Sequence, residues 1–191
     1  MKKILFVTSM AFFAACNNSS DKAKVESMNA DSTAATTSTA TTMRDINSPY
    51  AVSYSSKWEI GDPKNAETIL NLWKDWDNGN LMNSKNSFAD SLTFHFSDGS
   101  MMHASRDSAL AMAQKDRDNY VSSVSTVDVV VSTKSTDKNE NWALIWGEER
   151  LTDKKGKKDS SSLQEAWRLN KDVKVDLVYQ YRARLSPPKK K

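Results

Sequence analysis

The chain has 191 residues, enough for one domain with or without a tail and too few for a second large domain. A hydrophobic fraction of 38% is low beside an ordinary charged fraction of 27%, so part of the chain cannot contribute to a core. Lys+Arg 27 against Asp+Glu 24 gives +3, but setting aside Lys2 and Lys3 at one end and Lys189, Lys190 and Lys191 at the other leaves 22 against 24, which argues against a basic, nucleic-acid-binding body.

Residues 1–15 read as a targeting segment. Lys2 and Lys3 precede the apolar groups Ile4-Leu5-Phe6-Val7 and Met10-Ala11-Phe12-Phe13, and Ala14-Ala15 stand before Cys16. A basic start, a short apolar run and small boundary residues are the parts of a secretory signal. The run falls short of the roughly 20 apolar residues that a membrane-crossing helix needs. Phe13-Ala14-Ala15-Cys16 resembles the lipobox of bacterial lipoproteins, with Phe13 where leucine is commonest. The resemblance implies a lipoprotein signal peptide over 1–15, lipidation of Cys16 as the new N-terminus, and a lipid-anchored protein of the bacterial cell envelope, periplasmic or surface-facing. Cys16 is the single cysteine, which excludes an intramolecular disulfide and Cys-based zinc sites.

Residues 16–56 form the expected tether, centred on Ser32-Thr33-Ala34-Ala35-Thr36-Thr37-Ser38-Thr39. Up to about Ser48 it lacks aromatic residues and has almost no large aliphatic ones, so burial cannot offset the entropy of ordering it. All six Trp fall between Trp58 and Trp167, which places the domain at 57–185 and leaves 186–191 as a basic tail.

Asp62-Pro63 reads as an N-cap with proline at the first helical position, Ala66, Ile69, Leu70, Trp73 and Trp76 follow at helical spacing, and Asn78-Gly79 closes the helix. A first helix is thus predicted over 64–78. Leu92 to Phe96 alternates as a strand ahead of the turn Ser97-Asp98-Gly99-Ser100, and a second helix is predicted over 106–119 behind Ser105 as cap. Four strands follow. The first carries Val127, Val129 and Val131 on one face; the second carries Trp142, Leu144, Trp146, Glu148 and Arg150; the third carries Leu163, Glu165, Trp167 and Leu169; the fourth carries Val175, Leu177, Tyr179 and Tyr181. Helices followed by consecutive antiparallel strands predict an α+β class.

Several strings in this order resemble the SnoaL-like branch of the nuclear transport factor 2-like superfamily. They are Phe88-Ala89-Asp90-Ser91-Leu92-Thr93-Phe94 through Asp98-Gly99, then Ser105-Arg106-Asp107-Ser108-Ala109-Leu110, then Gln164-Glu165-Ala166-Trp167-Arg168-Leu169 through Val173. The resemblance spans about Pro63 to Arg184, and the turn at Asn170-Lys171-Asp172 lacks the glycine often found there. It implies a cone of bent antiparallel sheet with helices on one side and a pocket at its open end. In various members that pocket serves isomerase or cyclase chemistry, ligand binding or dimer contact. Ketosteroid-isomerase-like members pair a pocket carboxylate with a tyrosine on the first helix. Here that helix has Trp73 and Trp76 and no tyrosine, so no catalytic residue is carried over.

Candidate pocket residues are Trp73, Trp76, Trp142, Trp146, Trp167, Tyr179 and Tyr181, whose rings suit an apolar ligand or an ordinary core. Among carboxylates, Asp90, Glu148 and Glu165 are weighed as proton carriers against a simple pairing with Arg150 or Arg168. His95 and His103 are the only histidines, too few for a multi-histidine metal centre, and no cofactor motif is present. Three functions stay open: a non-enzymatic envelope lipoprotein binding a small apolar molecule or partner chain; an isomerase, cyclase or hydrolase using Glu148, Glu165 or His95; and a filled cone acting through its outer sheet face, as a homodimer.

Overall fold

The structure is a computed structural model and describes residues 46–185. The leader, Cys16, the tether up to residue 45 and the tail at 186–191 lie outside the described residues. Among the described residues no helix is long and apolar enough to cross a membrane.

A short strand, β1 (Trp58–Ile60), turns through Gly61 into helix α1 (Pro63–Asn78). The Asp62 carboxylate accepts from the Lys64 N–H at 2.9 Å, and Pro63 occupies a position where no N–H is required. Gly79 ends the helix at φ 72°, its N–H bonding the Trp76 carbonyl at 3.0 Å. Asn65, Ile69, Leu72 and Trp73 are buried at spacings of one, three and four residues, so one face of α1 lies against the sheet. The predicted 64–78 helix is therefore present and starts one residue earlier.

A 3-10 segment (Leu81–Ser87), absent from the sequence reading, leads into β2 (Phe88–His95). The Asp98-Gly99 turn brings the chain back as β3 (Met101–Ser105), and Ser105 caps α2 (Arg106–Arg117) by accepting from the Ser108 N–H at 3.3 Å. Four long strands follow: β4 (Tyr120–Ser135), β5 (Glu140–Asp153), β6 (Lys158–Leu169) and β7 (Val175–Arg184). All seven strands form one curved, unclosed sheet in the order β1-β4-β5-β6-β7-β2-β3. Neighbours are antiparallel except β2 and β7, which run parallel. The α+β cone is thus present. Its core lies between the concave sheet face and the helices, with Ile69, Ile145, Leu169, Val175 and Val178 fully buried.

Two irregularities decide which side chains face inward. On β4, Val127 pairs with Gly147 but Val129 pairs with the adjacent Trp146, so Asp128 is an extra residue. Val127 therefore faces inward with Gly147, while Val129 and Val131 face outward with Trp146 and Leu144. On β7, Val175 pairs with Leu169 and Leu177 with Arg168, which makes Asp176 the extra residue. Val175 is buried, and Leu177, Tyr179 and Tyr181 lie on the opposite face. The single-face expectation fails on both strands, because a bulge reverses the two-residue alternation beyond it. In the β6–β7 turn the left-handed residue is Val173, at φ 57°, so this turn holds a β-branched side chain in a conformation that such residues rarely adopt.

Candidate functional site in the cone

Between the concave sheet face, α1, α2 and the 3-10 segment lies a cavity of about 600 Å³, a size typical of small-molecule sites. Trp73 and Trp76 line it from α1, and Leu110 and Ala113 from α2. Phe88 and Phe94 of β2 and Phe96 just beyond it supply a further aromatic wall. The polar end is built from three adjacent strands: Glu149 on β5, Glu165 on β6, and Gln180 and Arg182 on β7.

Glu165 is 4% exposed. Its Oε2 accepts from the Trp73 Nε1–H at 2.7 Å and the Trp167 Nε1–H at 2.9 Å, and its Oε1 accepts from Gln180 Nε2 at 2.7 Å. Burial pushes its carboxyl above the ordinary value, against the opposite pull of the Gln180, Trp73 and Trp167 hydrogen bonds. Glu149 is also buried. Its Oε1 accepts from the Trp76 Nε1–H at 2.6 Å, and its Oε2 lies 3.1 Å from an Arg182 guanidinium nitrogen. Burial raises Glu149 as well, with Arg182 and Trp76 pulling it down. Arg182 Nε donates to Ser161 Oγ at 2.8 Å, which fixes the guanidinium beside Glu149.

The two α1 indoles are aimed by their helix. Asp77 at its C-terminal end accepts from Ser123 Oγ at 2.8 Å and from Ser125 N at 3.0 Å and Oγ at 2.9 Å. Arg117 of α2 is 7% exposed and donates to the carbonyls of Trp76, Asp77 and Tyr120 at 2.6, 2.8 and 2.9 Å. The bonds to the Trp76 and Asp77 carbonyls brace the C-terminal end of α1, and together these contacts join α1 to α2 and β4.

No family model matches the chain, and no curated protein matches it in sequence. Solved structures share its architecture. A protein of Shewanella denitrificans OS-217 assigned as a SnoaL-like polyketide cyclase matches with a TM-score of 0.52 at 8% identity, over 64% of this chain and 92% of its own. The fold is a SnoaL-like cone. An LEH-like epoxide hydrolase of M. tuberculosis matches with a TM-score of 0.52 at 8% identity, over 63% and 83%. AusH of Aspergillus nidulans does so with 0.52 at 13% identity, over 65% and 86%. At such identities the likeness establishes architecture, and the chemistry must come from this chain's own residues.

The SnoaL-like cone brings together four of the sequence-predicted pocket residues: Trp73, Trp76, Glu165 and Trp167. It is open rather than filled. The other six, His95, Trp142, Trp146, Glu148, Tyr179 and Tyr181, do not line it. On β5 the buried inner series is Ala143, Ile145, Gly147, Glu149 and Leu151, which puts Trp142, Trp146 and Glu148 on the outer face. Glu148 pairs with Arg150 at 3.0 Å, as the simple-pairing reading had it, whereas Glu165 does not pair with Arg168. Asp90 projects into solvent, within 3.3 Å of Arg106. His95 stacks on Tyr179 at 4.5 Å on the outer face, and His103 Nδ1 shares a hydrogen bond with Thr93 Oγ1 at 3.0 Å. The sequence reading missed Glu149, Gln180 and Arg182. Among the described residues no cluster of three or more His, Cys, Asp or Glu is placed to hold a metal.

A second, shallower hollow of about 440 Å³ lies on the outer face, between Tyr54, Trp58, Trp142, Leu144 and Tyr179. Tyr54 donates to Glu140, Ser55 donates to Asp137 at 2.5 Å, and Tyr54 meets Trp142 edge-on at 6.3 Å. The segment just ahead of β1 is thereby fastened across that face and covers Trp142.

The polar end of the cone can hold a ligand group and orient it. It is less suited to moving protons. Indole, amide and guanidinium groups donate hydrogen bonds without releasing protons near neutral pH, and they place three bonds on Glu165 and two on Glu149.

Proposed function

We propose that this chain is a membrane-tethered envelope lipoprotein whose SnoaL-like cone binds a small, largely apolar molecule. The observation that carries this reading is an aromatic cavity of about 600 Å³ whose two buried carboxylates, Glu149 and Glu165, are already engaged by Trp73, Trp76, Trp167, Gln180 and Arg182. Donors fixed on each carboxylate hold it in place and stabilise its charged form, which lowers its pull on a further proton. Carboxylates held in this way serve better as fixed recognition groups.

The environment-sensitive probe N-phenyl-1-naphthylamine tests the pocket. Its fluorescence should rise on mixing with the protein. Ala113→Phe, which puts a ring into the cavity wall, should weaken binding by about tenfold, or roughly 1.4 kcal/mol. Trp146→Ala should leave binding unchanged, since Trp146 stands on the outer face. Undiminished binding by Ala113→Phe would place the probe outside the cone and defeat the reading.

A second reading, an enzyme of the cyclase, isomerase or hydrolase type, is favoured by the raised carboxyl of Glu165 within the cavity. Two structures of like fold are a hydrolase and an assigned cyclase. Mass spectrometry separates the two readings: a ligand recovered unchanged supports binding, and one recovered isomerised, cyclised or hydrolysed supports catalysis.

The anchor rests on the leader layout and the single cysteine. Cys16→Ser should move the protein out of the membrane fraction and remove the acyl mass. Unaltered membrane retention at unaltered mass would refute lipidation.

A further inference from the structure

We propose that the molecule taken up by the cone is a hydrophobic cation: an apolar body carrying a protonated amine that docks at Glu165. The inference rests on the pocket reading above and adds the charge of the ligand. Four carboxylates line the cavity, those of Asp75, Asp116, Glu149 and Glu165, against one guanidinium, that of Arg182. Arg182 is engaged with Glu149 at 3.1 Å. Among the described residues no cation lies within ion-pair distance of Glu165, Asp75 or Asp116. Asp75 receives only neutral donors, Ser84 Oγ and Asn83 Nδ2. The nearby buried Arg117 directs its guanidinium at three backbone carbonyls and does not line the cavity. The cavity lining therefore carries more carboxylates than cations, with Arg182, paired to Glu149 and also pulling Glu165 down, as the one lining cation among the described residues and with Asp116 exposed to solvent.

Hydrogen-bonding capacity points the same way. The indole N–H groups of Trp73, Trp76 and Trp167, the Gln180 amide and the Ser84 and Ser125 hydroxyls each already have an acceptor. Glu165 Oε1 accepts one bond and has room for a second. A ligand that brings a donor finds a partner at Glu165, whereas one that brings an acceptor finds unused N–H groups only on Arg182 and Gln180, beside the Glu149 and Glu165 carboxylates. The rings of Trp73, Trp76, Trp167, Phe88, Phe94 and Phe96 supply apolar surface and negative ring faces that favour a cation. A carboxylate ligand would meet like charge, and a neutral one would bring no charge to pair with the Glu165 carboxylate.

Three probes on one skeleton test this by calorimetry on the purified full chain near neutral pH: 1-naphthylmethylamine, 1-naphthalenemethanol and 1-naphthoic acid. The amine should bind about tenfold or more tightly than the alcohol, and the acid more weakly than both. Glu165→Gln should bring the amine to the level of the alcohol while the alcohol keeps its affinity. If the alcohol matches the amine, or the acid binds best, the cation inference is overturned and the pocket reading survives. If the amine is preferred equally by Glu165→Gln, docking at Glu165 is overturned. If none of the three binds, the pocket reading itself fails. The three-probe comparison on the unaltered chain decides the charge preference even where the variant does not fold.

Discussion

Gly147→Ala is expected to destabilise the domain severely. A Cβ built on Gly147 would stand 2.1 Å from the Thr126 carbonyl oxygen and 3.1 Å from Cζ3 of the Trp73 ring. The first contact is with the backbone of the paired strand, beside the bulge at Asp128, and cannot be relieved by rotating a side chain. The second is with the indole that donates to Glu165. Both neighbours would have to move, at a cost of roughly 3 kcal/mol or more, the upper end of overpacking effects. For a domain of this size that corresponds to a fall in Tm of about 10 °C. Gly156→Ala is the matched control. Gly156 has nothing within 4 Å and a φ of +81°, so it should show only the cost of a left-handed alanine, about 1 kcal/mol. Urea melts of the two variants compare these effects, and equal midpoints would mean that β4 yields freely at the bulge.

That glycine also bears on which placements in the cone are legible in the sequence and which are not. The helices were legible because their signals are local: Asp62-Pro63 and Gly79 bound α1, and Ser105 caps α2. On β6, Leu163, Glu165, Trp167 and Leu169 alternate without interruption, so the inward position of Glu165 could be read directly. On β5 both faces are apolar. The larger side chains, Trp142, Leu144 and Trp146, suggested a pocket wall, yet they face outward, and Trp142 is covered by Tyr54 and Trp58. The inner face carries the small residues Ala143 and Gly147, and at Gly147 the Trp73 ring of α1 comes close enough to leave no room for a side chain. A glycine within a strand marks close approach by another group. Read that way, Gly147 places Glu149 in the cavity, two residues along on the same face.

The bulges left no comparable trace. Asp128 and Asp176 are ordinary polar residues within alternating runs, and nothing local distinguishes an unpaired residue from an outward-facing one. Without the shift at Asp176, Gln180 and Arg182 would be assigned to the solvent face and Tyr179 and Tyr181 to the pocket. The polar end of the cone thus depends on pairing between strands, which is settled by tertiary packing rather than by the composition of either strand.

Glu165→Leu is expected to cost about 3 kcal/mol or more, because it leaves three buried donors without an acceptor, each a penalty of roughly 1–3 kcal/mol, partly offset by removal of a desolvated carboxyl. Those donors are the Trp73 and Trp167 indoles and the Gln180 amide. Glu165→Gln should be far milder, within about 1 kcal/mol. Its carbonyl oxygen can take both indoles, and Gln180 can turn its amide over to accept from the new NH2 group. The two variants should also differ from the parent in pH dependence. Burial raises Glu165 above its ordinary value of 4.5, so the folded state holds the proton more tightly than the unfolded chain does. The resulting stability is fully present below 4.5 and is lost as pH rises through the raised folded value. Glu149 is raised by the same cause and acts in the same direction. Asp98, Asp107, Asp137 and Asp159 are lowered from 3.8, so their contribution is lost only as pH falls below that value. Urea midpoints between about pH 4.5 and pH 8 should therefore decline in the parent and decline less in Glu165→Gln, the remainder belonging to Glu149. An equal decline in both proteins would show that Glu165 is ionised at the start of that range, held by its three donors against the cost of burial.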